Sequence, residues 1–158
     1  MKATRLVLVL LVQMASSFVF SQKQNLKFNH LDISDGLSQN NVMCLMEGSR
    51  GFMWFGTRDG LNKYDGYKFT VYKNDAKDSN SISNNFITGI VEDASGRSTW
   101  ITTRGGGLNH YDKEKDRFIH YKNNPKDPNS ISSDLLSSLN RDSEGNLWIC
   151  TEKGLDYF

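Results

Sequence analysis

The chain has 158 residues, with 19 basic against 18 acidic side chains and two cysteines. This near-neutral balance contains no basic block that could follow a phosphate backbone, which excludes nucleic acid as the expected partner. The length suits one domain, and past the N-terminus no apolar stretch is long enough to cross a membrane.

The chain opens with Met1, Lys2 and Arg5, then an unbroken apolar run from Leu6 to Val12 that stays mostly apolar to Phe20. This is the pattern of a secretory signal peptide over residues 1–21, cut between Ser21 and Gln22. The run is short for an uncleaved anchor, and no Cys directly follows it as a lipid anchor requires. Removing Lys2 and Arg5 leaves 17 basic against 18 acidic residues, a net charge of −1. An exported chain can oxidise Cys44 and Cys150. The two fall at different positions of different repeat units, however, so two buried free thiols are expected.

Next comes FNHL (28–31), a short strand-like phrase. VMCLME from Val42 is an apolar run, Ser49, Arg50 and Gly51 supply a turn, and MWFGT is a second strand rich in β-formers. Asp59-Gly60 signals a hairpin. LNKYD and then KFTVY follow as third and fourth strands. The order returns as ITGIVED, TWITT, a Gly105-Gly106-Gly107 turn, LNHYD and RFIHY. Nothing in residues 22–158 shows sustained helical periodicity.

The units align on Trp54, Trp100 and Trp148, spaced by 46 and 48 residues. Ser38, Ser83 and Ser132 each stand thirteen residues before a glycine: Gly51, Gly96 and Gly145. Thr57, Thr103 and Thr151 follow the tryptophans, and Gly60, Gly107 and Gly154 each precede a leucine. About 45 residues per unit and four antiparallel strands are the signature of a β-propeller blade. The expected fold is therefore all-β, a partial propeller over residues 22–158. Blade 1 spans about 40–73, blade 2 about 85–122, and an incomplete blade 3 about 134–158. FNHL resembles the fourth strands, so 26–31 is expected as an unpaired N-terminal strand that completes a closing blade. Closure after three blades falls below the usual range of about 4 to 8. The expectation is a stretch of a longer protein, a truncated reading frame or a self-associating piece, poorly soluble alone.

GLSQNNV from Gly36, SRGFMWFGTRDGLNKYDG from Ser49 and the phrases NSISNN and NSISSD resemble the two-component regulator propeller family over essentially all of 25–158. These are the periplasmic sensor regions of hybrid histidine kinases of Bacteroidetes. The resemblance implies further blades, an immunoglobulin-like domain, a transmembrane helix and a kinase core, none of them in this chain. Membrane attachment would come only through those downstream segments. It also implies a place on the periplasmic side of a Gram-negative envelope and a role in sensing carbohydrate breakdown products. The family's Trp-aliphatic-Gly-Thr survives only at Gly56. Thr102 and Cys150 replace that glycine in the other units, which is expected to loosen local packing.

The recurring tryptophan can serve as a sugar platform or as inter-blade core. Its presence in every unit favours core. Strand alternation places the loops between strands two and three on the same face as those entering strand one. Asn40, Asn41, Arg58, Asp59, Asn84, Asn85 and Arg104 are the candidate ligand residues there, able to hydrogen-bond sugar hydroxyls or a carboxylate. The competing account is turn chemistry. His30, His110 and His120 form no catalytic or metal pattern. Asp142-Ser143-Glu144-Gly145-Asn146 lacks a calcium-loop frame and reads as a turn. The expectation is a non-enzymatic oligosaccharide sensor with no cofactor and no metal, its partners being the ligand and the remaining blades or another propeller chain. The alternatives are a fragment of a propeller lyase, which would use His110, or a protein-interaction module.

Overall fold

The computed structural model describes residues 25–158, so the expected signal peptide lies outside the described residues. Residues 25–30 are an exposed run without regular structure. Residues 31–158 build three antiparallel sheets. The first comprises β1 (Val42–Glu47), β2 (Met53–Thr57), β3 (Gly60–Tyr64) and β4 (Phe69–Tyr72). The second comprises β5 (Ile87–Glu92), β6 (Ser98–Thr103), β7 (Gly107–Asp112) and β8 (Arg117–Tyr121). The third holds β9 (Leu136–Arg141), β10 (Leu147–Thr151) and β11 (Gly154–Tyr157). Each sheet is a meander in which sequence neighbours pair. Strand β1 lies against β5, and β5 against β9, so the first strands are innermost and the sheets follow one another as propeller blades.

The segment 26–31, expected as an unpaired strand for a closing blade, carries no regular structure among the described residues. A strand is held by its ladder bonds, and no strand pairing reaches these residues. An unanticipated 3-10 turn, Ile33–Asp35, follows. The Asp32 carboxylate caps it by accepting from the Ser34 amide, and Gly36, at φ 105°, ends it in the left-handed region.

Hairpin chemistry explains the second and third strands. Thr57 pairs with Gly60, which leaves Arg58 and Asp59 as the turn. Gly60 has φ 132°, and a Cβ there would stand 2.9 Å from the Tyr72 carbonyl, so only glycine fits. The second hairpin is one residue longer, because Thr103 pairs with Gly107. Each tip is bonded to the segment entering the next sheet. The Gly60 amide donates to the Asn85 carbonyl, and the Gly105 and Gly107 amides donate to the Asp134 carbonyl.

The core lies between sheets. Trp54, Leu61, Ile82, Ile87, Ile90, Ile101, Tyr111 and Phe118 form one cluster where the first sheet meets the second. Leu108, Leu136, Leu147 and Ile149 form another between the second and third. Each such side chain contributes about 1.5–3 kcal/mol when fully buried. Trp54 is 2% exposed, stacked on Tyr72 and edge-on to Tyr111. Trp100 is half-buried, with Phe158 against it. Trp148 is 39% exposed, since no following sheet among the described residues covers it. A polar tie reinforces the first interface: Glu92, paired with Lys113 within the second blade, accepts from the Ser49 amide of the first. Burial alone would raise the Glu92 pKa, but the Lys113 ammonium and the Ser49 donors outweigh it and hold the carboxyl low.

In the second sheet, the replacement of Gly56 by Thr102 is matched by a glycine on the facing strand. Cys44 pairs with Gly56 across β1 and β2, and a Cβ on Gly56 would fall 2.5 Å from the Cys44 sulfur. In the second sheet Gly89 pairs with Thr102, and a Cβ on Gly89 would fall 2.8 Å from the Thr102 hydroxyl. The glycine has changed strands: each pair holds one side chain in a space too small for two. Both cysteines are free thiols, but only Cys44 is substantially covered. Burial pushes its thiol up to about 11. Cys150 is exposed, which corrects the expectation of two buried thiols. It stands on β10, where no further sheet among the described residues packs over it.

Candidate functional site

The serines and threonines of the repeat form a latch. The Asn62 carbonyl oxygen accepts from the Ser38 amide at 2.8 Å, its amide nitrogen donates to the Ser38 hydroxyl, and that hydroxyl bonds Thr57. Asn109 repeats this with Ser83, whose hydroxyl lies 3.5 Å from that of Thr103. In the third sheet Asp156 accepts from the Ser132 amide and Ser132 bonds Thr151. Asn62 and Asn109 are fully buried. A carboxamide is well suited here because it both accepts and donates. Sequence reading missed these asparagines, although each stands directly after the recurring Gly-Leu pair. Much of the repeat is therefore fastening.

The register puts the hairpins β2–β3, β6–β7 and β10–β11 at the same end as the segments entering β1, β5 and β9. Several predicted ligand residues at this end are already engaged. Asn40 accepts from the Ile33 amide, Asn84 from the Phe86 amide, and Asn85 from the Asn74 amide. Asp59 is paired with Lys73 at 2.7 Å and lies 3.3 Å from the Asn85 amide nitrogen. These are turn and loop roles. Asn41 is exposed. Arg58 and Arg104 differ: both are exposed, and their guanidiniums stand over the same ring, that of Phe86, at 5.4 and 5.7 Å from its centroid.

Beside them opens a cleft of about 240 Å³, bordered by Met43, Phe86, Thr88, Arg104, Leu135, Leu136, Ser137, Thr151 and Glu152. Three of these residues share one backbone feature. Met43, Thr88 and Ser137 are each the extra residue where the register of an innermost strand slips, between Val42 and Cys44, Ile87 and Gly89, and Leu136 and Ser138. A bulge re-aims a side chain that the strand's alternation would send elsewhere. Here it sends one residue from each sheet to the cleft. Glu152, at the hairpin position held by Arg58 and Arg104 in the other sheets, accepts from the Ser133 hydroxyl. Sequence reading found the two arginines but missed Phe86 and the bulge residues. Phe86 is visible in the sequence only as an aromatic where the other units carry Asn41 and Leu135.

The remaining titratable groups sit elsewhere. His110 packs on Trp100 at 4.3 Å between ring centroids, and burial lowers its pKa despite Asp93 and Asp112 nearby. His120 bonds the Ser81 carbonyl, and His30 is exposed. At the opposite end of the sheets, Asp142 closes its own turn. The Trp148 indole, the Asn146 side chain and the Asn146 and Glu144 amides donate to its carboxylate and hold it at about 2. Among the described residues no group of three His, Cys, Asp or Glu side chains could hold a metal. A larger groove, about 820 Å³, runs between β8 and the free edge of β11 and includes Tyr121, Pro128, Ile149 and Tyr157. It occupies the side of the third sheet where the other two carry a fourth strand.

Residues 36–59 match the family model described as two component regulator propeller. Histidine kinase P4 of Formosa agariphila is 46% identical over 63 residues, which is 40% of this chain and 5% of that protein. A crystal structure named as the extracellular domain of a hybrid two component system of B. thetaiotaomicron has 35% identity and a TM-score of 0.76. It covers 82% of this chain and 18% of that one. A streptogramin B lyase structure, at 21% identity and a TM-score of 0.57, covers 85% of this chain and 45% of the lyase, and shows likeness of fold alone. The chain thus spans under a fifth of both the kinase and the extracellular domain it resembles.

Proposed function

We propose that this chain, whose repeats are those of the two-component regulator propellers, is a non-catalytic ligand-sensing segment of an exported sensor. In this reading residues 1–21 direct export and are removed near Ser21–Gln22, and the sheets stand on the periplasmic side. The ligand is an oligosaccharide released from a polysaccharide, and its binding is relayed to a histidine kinase carried beyond this segment. The observation that carries the reading is the cleft at the bulged ends of β1, β5 and β9, with Arg104 on its border and Arg58 over its Phe86 ring. Concave surfaces with a few convergent polar groups are where small ligands bind. This one lies where side chains differ from unit to unit, whereas the latch and the tryptophans recur. The test is calorimetric titration of the intact extracellular region against a panel of plant and algal oligosaccharides. Saturable binding that Arg104→Ala weakens supports the reading; silence across the panel refutes the carbohydrate assignment.

A further inference from the structure

The cleft's charge narrows the ligand class, an argument that rests on the sensor reading above. Arg58 and Arg104 come from hairpins of successive sheets yet converge on one ring. Their centroid distances bound the two Cζ atoms to within about 11 Å of each other. Neither arginine forms an ion pair among the described residues. Asp59 is paired with Lys73, and Glu152, which borders the same cleft as Arg104, accepts from the Ser133 hydroxyl and supplies one negative charge against the two arginines. The Phe86 ring offers each exposed cation only about 0.5–1 kcal/mol. Arg58 and Arg104 donate only through their backbone amides among the described residues, which leaves the guanidinium N–H groups open to a planar or tetrahedral oxyanion.

The apolar half of the cleft is also accessible. Met43 is 44% and Leu135 40% exposed, and both border the cleft. Met43 is held there by the bulge in β1. A pyranose presents a C–H face to such a surface while an acidic substituent reaches the arginines. We propose that the cleft takes an anionic oligosaccharide, its carboxylate or sulfate ester held by Arg104 at the cleft border, with Arg58 reaching it from beside the Phe86 ring. Glu152 offsets one of the two positive charges, and a neutral sugar lacks the group that balances the other.

The test uses the full chain and three probes of equal length: a galacturonate trisaccharide, a sulfated galactose trisaccharide and a neutral galactose trisaccharide. Calorimetry is run at low and at physiological salt. The expected result is binding of at least one acidic probe, at least about tenfold tighter than the neutral one, weakening as salt rises. Which acidic probe binds separates carboxylate from sulfate. Arg58→Ala and Arg104→Ala each lower that affinity about tenfold or more, and Arg104→Lys restores only part because a lysine cannot grip in two-pronged fashion. Both arginines are exposed, so circular dichroism of the variants is expected to match the parent. Equal or tighter binding of the neutral trisaccharide, or acidic binding indifferent to both alanine variants, overturns the anionic assignment while the sugar reading stands. Binding of none of the three overturns the anionic assignment as well, and the wider panel then decides the sugar reading.

Discussion

The exchange of a glycine between strands predicts an energetic coupling that can be measured. In the second sheet Gly89 and Thr102 are cross-strand partners, and Thr102 is fully buried. Gly89→Ala places a methyl 2.8 Å from the Thr102 hydroxyl and 2.5 Å from a Leu139 methyl. Overpacking of this kind costs about 1–3 kcal/mol. Thr102→Gly removes three buried heavy atoms and the bond from Thr88. The lost hydrogen bond contributes about 1 kcal/mol, and a strand-interior glycine costs roughly another 0.5–1 kcal/mol. With the cavity added, the total is about 3 kcal/mol. The double variant recreates the small-opposite-larger arrangement of Cys44 and Gly56: the new methyl fills space the threonine vacated, and one of its two close contacts is gone. Its loss should therefore be smaller than the two single losses combined by at least about 1 kcal/mol. Urea unfolding of the four proteins, followed by tryptophan fluorescence, gives the cycle. Additivity within about 0.5 kcal/mol would show that the two sites do not share a space, and the reasoning would fail.

Other outcomes follow from single features. The Thr99 hydroxyl is buried without a partner, so Thr99→Val should stabilise the fold by about 1 kcal/mol; a loss in urea midpoint would mean an unseen partner. Cys150 should react with a maleimide in the native chain at pH 8 while Cys44, its thiol held at about 11 by burial, stays protected until urea is added; mass spectrometry after digestion separates the two. The Asp142 carboxyl, depressed to about 2 from 3.8, contributes stability that is present above pH 4 and is lost as pH falls through about 2. Asp142→Asn should flatten that acid limb in a pH series of melting temperatures.

The fold was largely legible because a repeat states its structure several times. One Trp-Phe-Gly-Thr phrase is ambiguous; three tryptophans, each with a threonine three residues on, at matched spacing fix strand number and order. The role of 26–31 is not legible from its resemblance to FTVY and FIHY, which reports side-chain pattern, while a strand also needs a partner's backbone. The Thr102 substitution looked damaging because the compensation sits on another strand, at Gly89, thirteen residues upstream. The candidate site was half visible. Arg58 and Arg104 stood out as charged hairpin residues, but nothing in the sequence announces that both reach Phe86. A bulge leaves no composition signal, so Met43, Thr88 and Ser137 passed as ordinary strand residues.

The bonds from each hairpin tip to the next entry segment also give the molecule a direction in time. The Gly60 amide finds its acceptor at Asn85, and the Gly107 amide at Asp134, 25 and 27 residues further along. A chain delivered from its N-terminal end would therefore complete a sheet before the segment that fastens it arrives. Each blade would be locked by the one after it, and a cut between a tip and its acceptor would leave a finished sheet unfastened, its tryptophan face open.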